Sequence, residues 1–187
     1  MGFDWTSIKD KLGRYLFEAD NPGVVTLSGS NLLQTPSDTI TRPNDTTAYA
    51  VNDVVSTTAG EILEFSTGLS VGGSGIIMGS RMKVAVSAVP AGMSAFRLHL
   101  YNAAPTAIAD NAAFNLPAAD LGKYLGYITI STPIDLGDNI VSQDDNINFT
   151  FDLAASDTKL YGILQTGGAF TPSASTVKTV LLNIAAM

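Results

Sequence analysis

The chain has 187 residues, of which 45% are apolar and only 14% charged, with no cysteine and a formal net charge of −7. Its length suits one domain of ordinary size plus a terminal element, and the absence of thiols excludes disulfides, thiolate metal sites and cysteine nucleophiles. The acidic balance argues against nucleic acid or an anionic membrane as partner.

The first element is expected to be a helix. Trp5, Ile8, Leu12, Tyr15 and Leu16 recur at spacings of three and four, with Lys9, Asp10, Lys11 and Arg14 between them. Asp4 is placed to cap it, and Pro22-Gly23 to stop it. Residues 1–20 therefore read as an N-terminal helical arm whose apolar stripe offers a contact to a neighbouring subunit, and 23–187 as a β-sandwich domain. The N-terminus lacks a basic segment followed by an apolar stretch, so the chain is expected to be made in a cytosol and kept there or released by lysis.

The run Thr41-Arg42-Pro43-Asn44-Asp45-Thr46-Thr47-Ala48-Tyr49-Ala50-Val51-Asn52-Asp53-Val54-Val55 is the most distinctive stretch. Pro43 fixes its own φ and extends Arg42, while Asn44-Asp45 and Asn52-Asp53 supply turn chemistry. These features predict a structural corner built on Arg42, Pro43, Asp45, Tyr49 and Asp53, with the Tyr49 ring packed and its hydroxyl partnered.

Period-two patterning then predicts strands at 24–27, 53–56, 62–66, 75–87 with a break near Gly79-Ser80, 95–101, 124–130, 147–153, 159–165 and 177–184. Phe96, Leu98 and Leu100 alternate with Arg97, His99 and Tyr101 as a half-buried strand would require. Segments 102–111, 131–146 and 166–175 read as connections, Val71–Gly75 as a tight loop or hairpin, and Pro117–Gly122 as a helical turn. The fold class is all-β, an antiparallel β-sandwich with a short N-terminal helix, its topology open between jelly-roll and immunoglobulin-like.

Little in the sequence suggests catalysis, and no cofactor is expected. His99 is the only histidine, which leaves no three-histidine metal site and reads as a surface or half-buried structural residue. The acidic loops holding Asp135, Asp138, Asp144 and Asp145 are the weak candidate for calcium, and turn formation accounts for them as well.

The 41–55 run resembles structural proteins of tailed bacteriophages, mostly small ones on the particle surface. That resemblance implies a non-catalytic virion protein of the head-decoration or auxiliary type, at the capsid surface and made in the host bacterial cytoplasm. Its partners would be the major capsid protein and further copies of itself, with a trimer as one arrangement. Residues 48–55 are also similar to the A-Y-x-x-G-D-x-V core of small chitin-binding modules, although Asn52 stands where those carry glycine and the only tryptophan is Trp5. This second likeness implies the alternative: a tail or fibre component, or a carbohydrate-binding module that recognises the host surface.

Overall fold

Residues 33–187 are described by the computed structural model; the expected N-terminal helix, with Trp5, Ile8, Leu12, Tyr15 and Leu16, and the strand expected at 24–27 lie outside the described residues. The alternation read from the sequence is realised in two antiparallel sheets. In chain order the strands are β1 Leu33–Gln34, β2 Ser37–Thr41, β3 Val54–Val55, β4 Leu63–Ser66, β5 Ser74–Val84, β6 Phe96–Tyr101, β7 Tyr124–Ile130, β8 Ile134–Asp135, β9 Ile140–Asp144, β10 Phe149–Asp152, β11 Lys159–Thr166 and β12 Val177–Ala186. A 3-10 turn, Ala118–Asp120, follows Pro117.

The larger sheet runs β1–β12–β5–β9–β8, with β2 also on β12 and β10 also on β5; the smaller runs β3–β11–β6–β7, with β4 also on β11. Taking β2, β4, β5, β6, β7, β9, β11 and β12 as the eight main strands, first pairs with last, second with seventh, third with sixth and fourth with fifth. This is the strand order of a jelly roll, and it differs from the two sheets of an immunoglobulin domain.

Inward side chains of both sheets form the main core. Val180, Leu182 and Ile184 of β12 and Met82 and Val84 of β5 face Phe96, Leu98 and Leu100 of β6 and Leu160 and Leu164 of β11. Burying so many large apolar groups is the dominant stabilising term in a chain this poor in charge.

A smaller second core lies on the outer face of the five-stranded sheet, where Val54, Tyr101, Tyr161 and Ile163 pack with Ile108, Phe114 and Leu116 of the connection after β6. That connection bonds to the sheet margin through Val54 N to Ala112 O, at 2.8 Å, and Phe114 N to Asn52 O, at 2.9 Å. Its coverage explains one departure from expectation: His99 is buried, only 5% exposed, rather than at the surface or half-buried.

The segment 131–146, expected to be a connection, contains β8 and β9. In β9 Ile140 and Ser142 are buried while Gln143 is exposed, so a serine takes an inward place that the apolar pattern does not reveal. The polar strand β2 buries only Ile40. β5 is unbroken through Gly79 and Ser80; the expected break is a register shift opposite Asn183 and Ile184. A Cβ on Gly79 would lie 2.7 Å from the carbonyl oxygen of Asp144, so glycine permits the strands to approach there.

Candidate functional site

Leaving β2, the backbone N–H of Arg42 donates to Thr176 O at 3.1 Å. Its side chain turns inward and is only 2% exposed. Nε donates to the Tyr49 hydroxyl at 3.0 Å. Nη2 donates to Asp45 Oδ1 at 2.9 Å and to Thr47 O at 3.1 Å, and Nη1 to Asp45 O. The guanidinium also lies 5.1 Å from the Tyr49 ring centroid. Planar geometry and several fixed donors spread over separate nitrogens suit arginine to this hub, whereas the donors of lysine all radiate from one nitrogen.

Tyr49 passes the network onward. Its hydroxyl donates to Asp110 Oδ1 at 2.6 Å, which also accepts the backbone N–H of Ser56 at 2.9 Å. Asp110 Oδ2 lies 3.4 Å from Arg42 Nη2. The Tyr49 ring packs on Phe170 with centroids 5.2 Å apart, and its backbone N–H donates to Phe170 O at 2.9 Å. Burial, then the Asp110 carboxylate, push the phenol well above its ordinary range, so it stays a neutral donor. The Thr47 backbone N–H, together with Arg42, holds the Asp45 carboxyl below its usual value.

Of the corner residues read from the sequence, the structure brings Arg42, Asp45 and Tyr49 into one network. Pro43 contributes its carbonyl, which accepts from Asp45 N at 2.9 Å and Ser175 N at 3.0 Å. Asp53 stands apart, accepting Ala50 N at 2.6 Å. With its amide nitrogen turned inward, Asn111 donates to Asp53 Oδ2 at 3.1 Å and to Ala48 O at 3.0 Å. The sequence reading missed Asp110 and Asn111; the available signal was an adjacent acid and amide in an otherwise alanine-rich stretch.

Lys178 of β12 was also missed. It is fully buried, and its amine has no hydrogen-bond partner among the described residues. Burial, reinforced by Arg42 and opposed by Asp110, brings its pKa down to about 8.

His99 is held from every side. It stacks on Phe114 with centroids 3.7 Å apart, while Nδ1 meets the Tyr124 hydroxyl at 3.0 Å and Nε2 meets Gln165 Oε1 at 3.1 Å. Gln165 Oε1 also accepts from Arg97 at 3.3 Å. Burial and the Arg97 charge lower the histidine pKa against the opposing pull of Gln165, which favours the neutral ring.

The four candidate calcium ligands separate into two pairs. Asp135 and Asp138 flank the β8–β9 turn, where Asp135 Oδ1 accepts Gly137 N at 2.8 Å. Asp144 and Asp145 lie at the other end of β9, about 13 Å away along the strand. There Asp144 Oδ2 accepts Ser131 N at 3.0 Å and Asp145 Oδ2 accepts Gln143 Nε2 at 2.7 Å. Among the described residues no group of three or more His, Asp or Glu is placed to hold a metal. No described helix is long and apolar enough to cross a membrane.

Tyr49, the aromatic of the chitin-module-like segment, is 2% exposed, so its ring has no face to offer a sugar. Taken as a whole the corner is a clamp: it ties the turn after β2, the connection after β6 and the loop before β12 to one another.

No family model matches the sequence, and no curated protein matches it. Solved structures do. A chain of the Israeli acute paralysis virus full particle, heated to 63 degrees, is similar over 100% of this chain and 94% of that chain, at 12% identity and a TM-score of 0.33. A chain of Desmodium yellow mottle tymovirus is similar over 82% of this chain and 86% of that one, at 12% identity and a TM-score of 0.27.

Proposed function

We propose that this chain is a non-catalytic structural protein of a tailed-bacteriophage virion, of the head-decoration type, which binds the major capsid protein and stiffens the shell. The observation that carries the reading is where the phage-like run falls in the fold. Residues 41–55 form the turn out of β2 and the entry to β3 in a jelly roll, a fold that recurs in viral capsid, lectin and cupin domains. Fold alone does not fix function; the run selects among these. A cupin-like metal site would need a histidine cluster, whereas the one histidine here is stacked on Phe114 and hydrogen-bonded on both ring nitrogens.

In this reading the β domain is a rigid block, clamped internally by Arg42, Tyr49 and Asp110, and the contact with the shell is made by Trp5, Ile8, Leu12, Tyr15 and Leu16. The partners are the major capsid protein and further copies of the chain, a trimer among the arrangements. Many copies on a lattice bind firmly even when each contact is weak. The location is the capsid surface, after synthesis in the bacterial cytoplasm.

The test is co-sedimentation with capsids that lack this protein. The wild-type chain binds them; a Trp5→Asp, Leu12→Asp double variant loses binding while its unfolding midpoint in urea stays unchanged. Undiminished binding by that variant overturns the assignment of the contact, and no binding by the wild type overturns the assignment to the head.

A further inference from the structure

We infer that the groove between the β7 edge and the β9–β10 connection is a binding site for a neutral saccharide, with the ring of Tyr127 as its platform. The groove is open to solvent, with a volume of about 550 Å³, and is lined by Tyr127, Gln143, Asp144, Asp145 and Asn146 together with the apolar Ile147 and Phe149. That volume suits a short oligosaccharide.

Tyr127 is 51% exposed, and every other aromatic side chain among the described residues is buried or half-buried. Its ring is steadied by two side chains of the neighbouring β6, the Arg97 guanidinium 5.7 Å from the ring centroid and the His99 ring at 5.7 Å. A ring held in place while half-exposed offers a flat apolar surface to the C–H face of a pyranose without a large ordering cost.

The polar lining is likewise set in advance. Arg81 holds Gln143 Oε1 at 2.8 Å, and Gln143 Nε2 in turn holds Asp145 Oδ2 at 2.7 Å. Asn148 Nδ2 holds Asn146 Oδ1 at 3.0 Å. Asp145 Oδ1 and Asn146 Nδ2 make no hydrogen bond within the described residues. They leave one exposed acceptor beside one exposed donor, the pairing that neighbouring sugar hydroxyls require.

The charge of the lining selects the class of sugar. Its own residues include the carboxylates of Asp144 and Asp145 and no Lys, Arg or His; Arg81 and Arg97 are engaged with Gln143 and the Tyr127 ring, so a uronic or sialic acid would find no cation in the lining itself to pair with. This site is separate from the clamp and does not depend on the virion reading. It also differs from the chitin-module likeness, which points to Tyr49.

The experiment uses the full chain, fluorescently labelled, on an array of immobilised neutral oligosaccharides of hexoses and N-acetylhexosamines alongside sialylated and uronic-acid glycans, with any hit then titrated in solution. The inference expects binding to one or more neutral glycans, retention by Tyr127→Phe, a loss of roughly tenfold or more with Tyr127→Ala, and a smaller loss with Asn146→Ala. Tyr127→Phe and Asn146→Ala should keep the wild-type unfolding midpoint; Tyr127→Ala gives up its contacts with Arg97 and His99, so its binding is measured under conditions where unfolding shows it to be folded. No neutral glycan bound at millimolar concentration, binding confined to anionic glycans, or binding that survives Tyr127→Ala would each overturn it.

Discussion

The Tyr49 hydroxyl donates to Asp110 Oδ1 at 2.6 Å across 61 residues of chain. The corner after the first main strand is thereby fixed to a loop formed much later in the sequence, and Arg42 reads both partners at once. Removing either end leaves a buried donor or acceptor without its complement, which costs more than the bond itself contributes.

Tyr49→Phe should therefore destabilise the domain by about 1–3 kcal/mol, and Asp110→Ala by about 3 kcal/mol because Arg42 loses a balancing charge. Urea unfolding of both single variants and the double variant should give a double-variant cost below the sum, since the two side chains share one network. Strict additivity would contradict the clamp.

Lys178→Met should stabilise the protein. The folded-state pKa is about 8 against an ordinary 10.5. Below about pH 8 the amine is charged in both states and the burial penalty is fully present; between 8 and 10.5 the unfolded chain still holds a proton that the folded one has lost, and the penalty fades. At pH 7 the gain is roughly 2–3 kcal/mol, provided methionine fills the same space. The difference from wild type should shrink as unfolding is measured toward pH 10, and an unchanged gap across that range would show that the amine is not responsible.

His99 predicts acid sensitivity of the same origin at lower pH. Its folded-state pKa lies below the ordinary 6.5. As pH falls through 6.5 the unfolded chain takes up a proton that the folded chain refuses, so stability declines until the lowered folded-state value is passed. Phe114→Ala, by admitting water to the ring, should move the His99 titration seen by proton NMR back toward 6.5. A titration already at the ordinary value in the wild type would refute the burial argument.

Gly79→Ala should cost about 1–3 kcal/mol, because the added Cβ would sit 2.7 Å from the backbone oxygen of Asp144 and one of the two strands must shift. Thermal unfolding checks it.

The fold was legible in the sequence where alternation is driven by large apolar groups. Strands such as Phe96–Tyr101 and Tyr124–Ile130 show it clearly, because Phe96, Leu98, Leu100, Ile128 and Ile130 all enter the core. It was illegible in β2 and β9, where Ser37-Asp38-Thr39 and Ser142-Gln143 leave too few apolar residues to set a period. The corner was readable from its turn chemistry, since Pro43 and Asp45 act on their immediate neighbours. Asp110 and Lys178 were not, because both meet the corner through the fold rather than along the chain. The groove at Tyr127 eluded the reading for a related reason: nothing local distinguishes a tyrosine left in solvent from Tyr101, which the loop covers.

The pairing of first strand with last has a consequence for how the molecule is made. Thr39 and Thr179 touch through their hydroxyls at 3.1 Å across 140 residues, and β12 lies between β2 and β5 in the middle of the larger sheet. A nascent chain on the ribosome cannot close that sheet until β12 has emerged, so folding waits for translation to pass residue 186 and is expected to be slow for its size. Premature termination anywhere before β12 would leave β2 and β5 as bare edges, prone to pair with other chains.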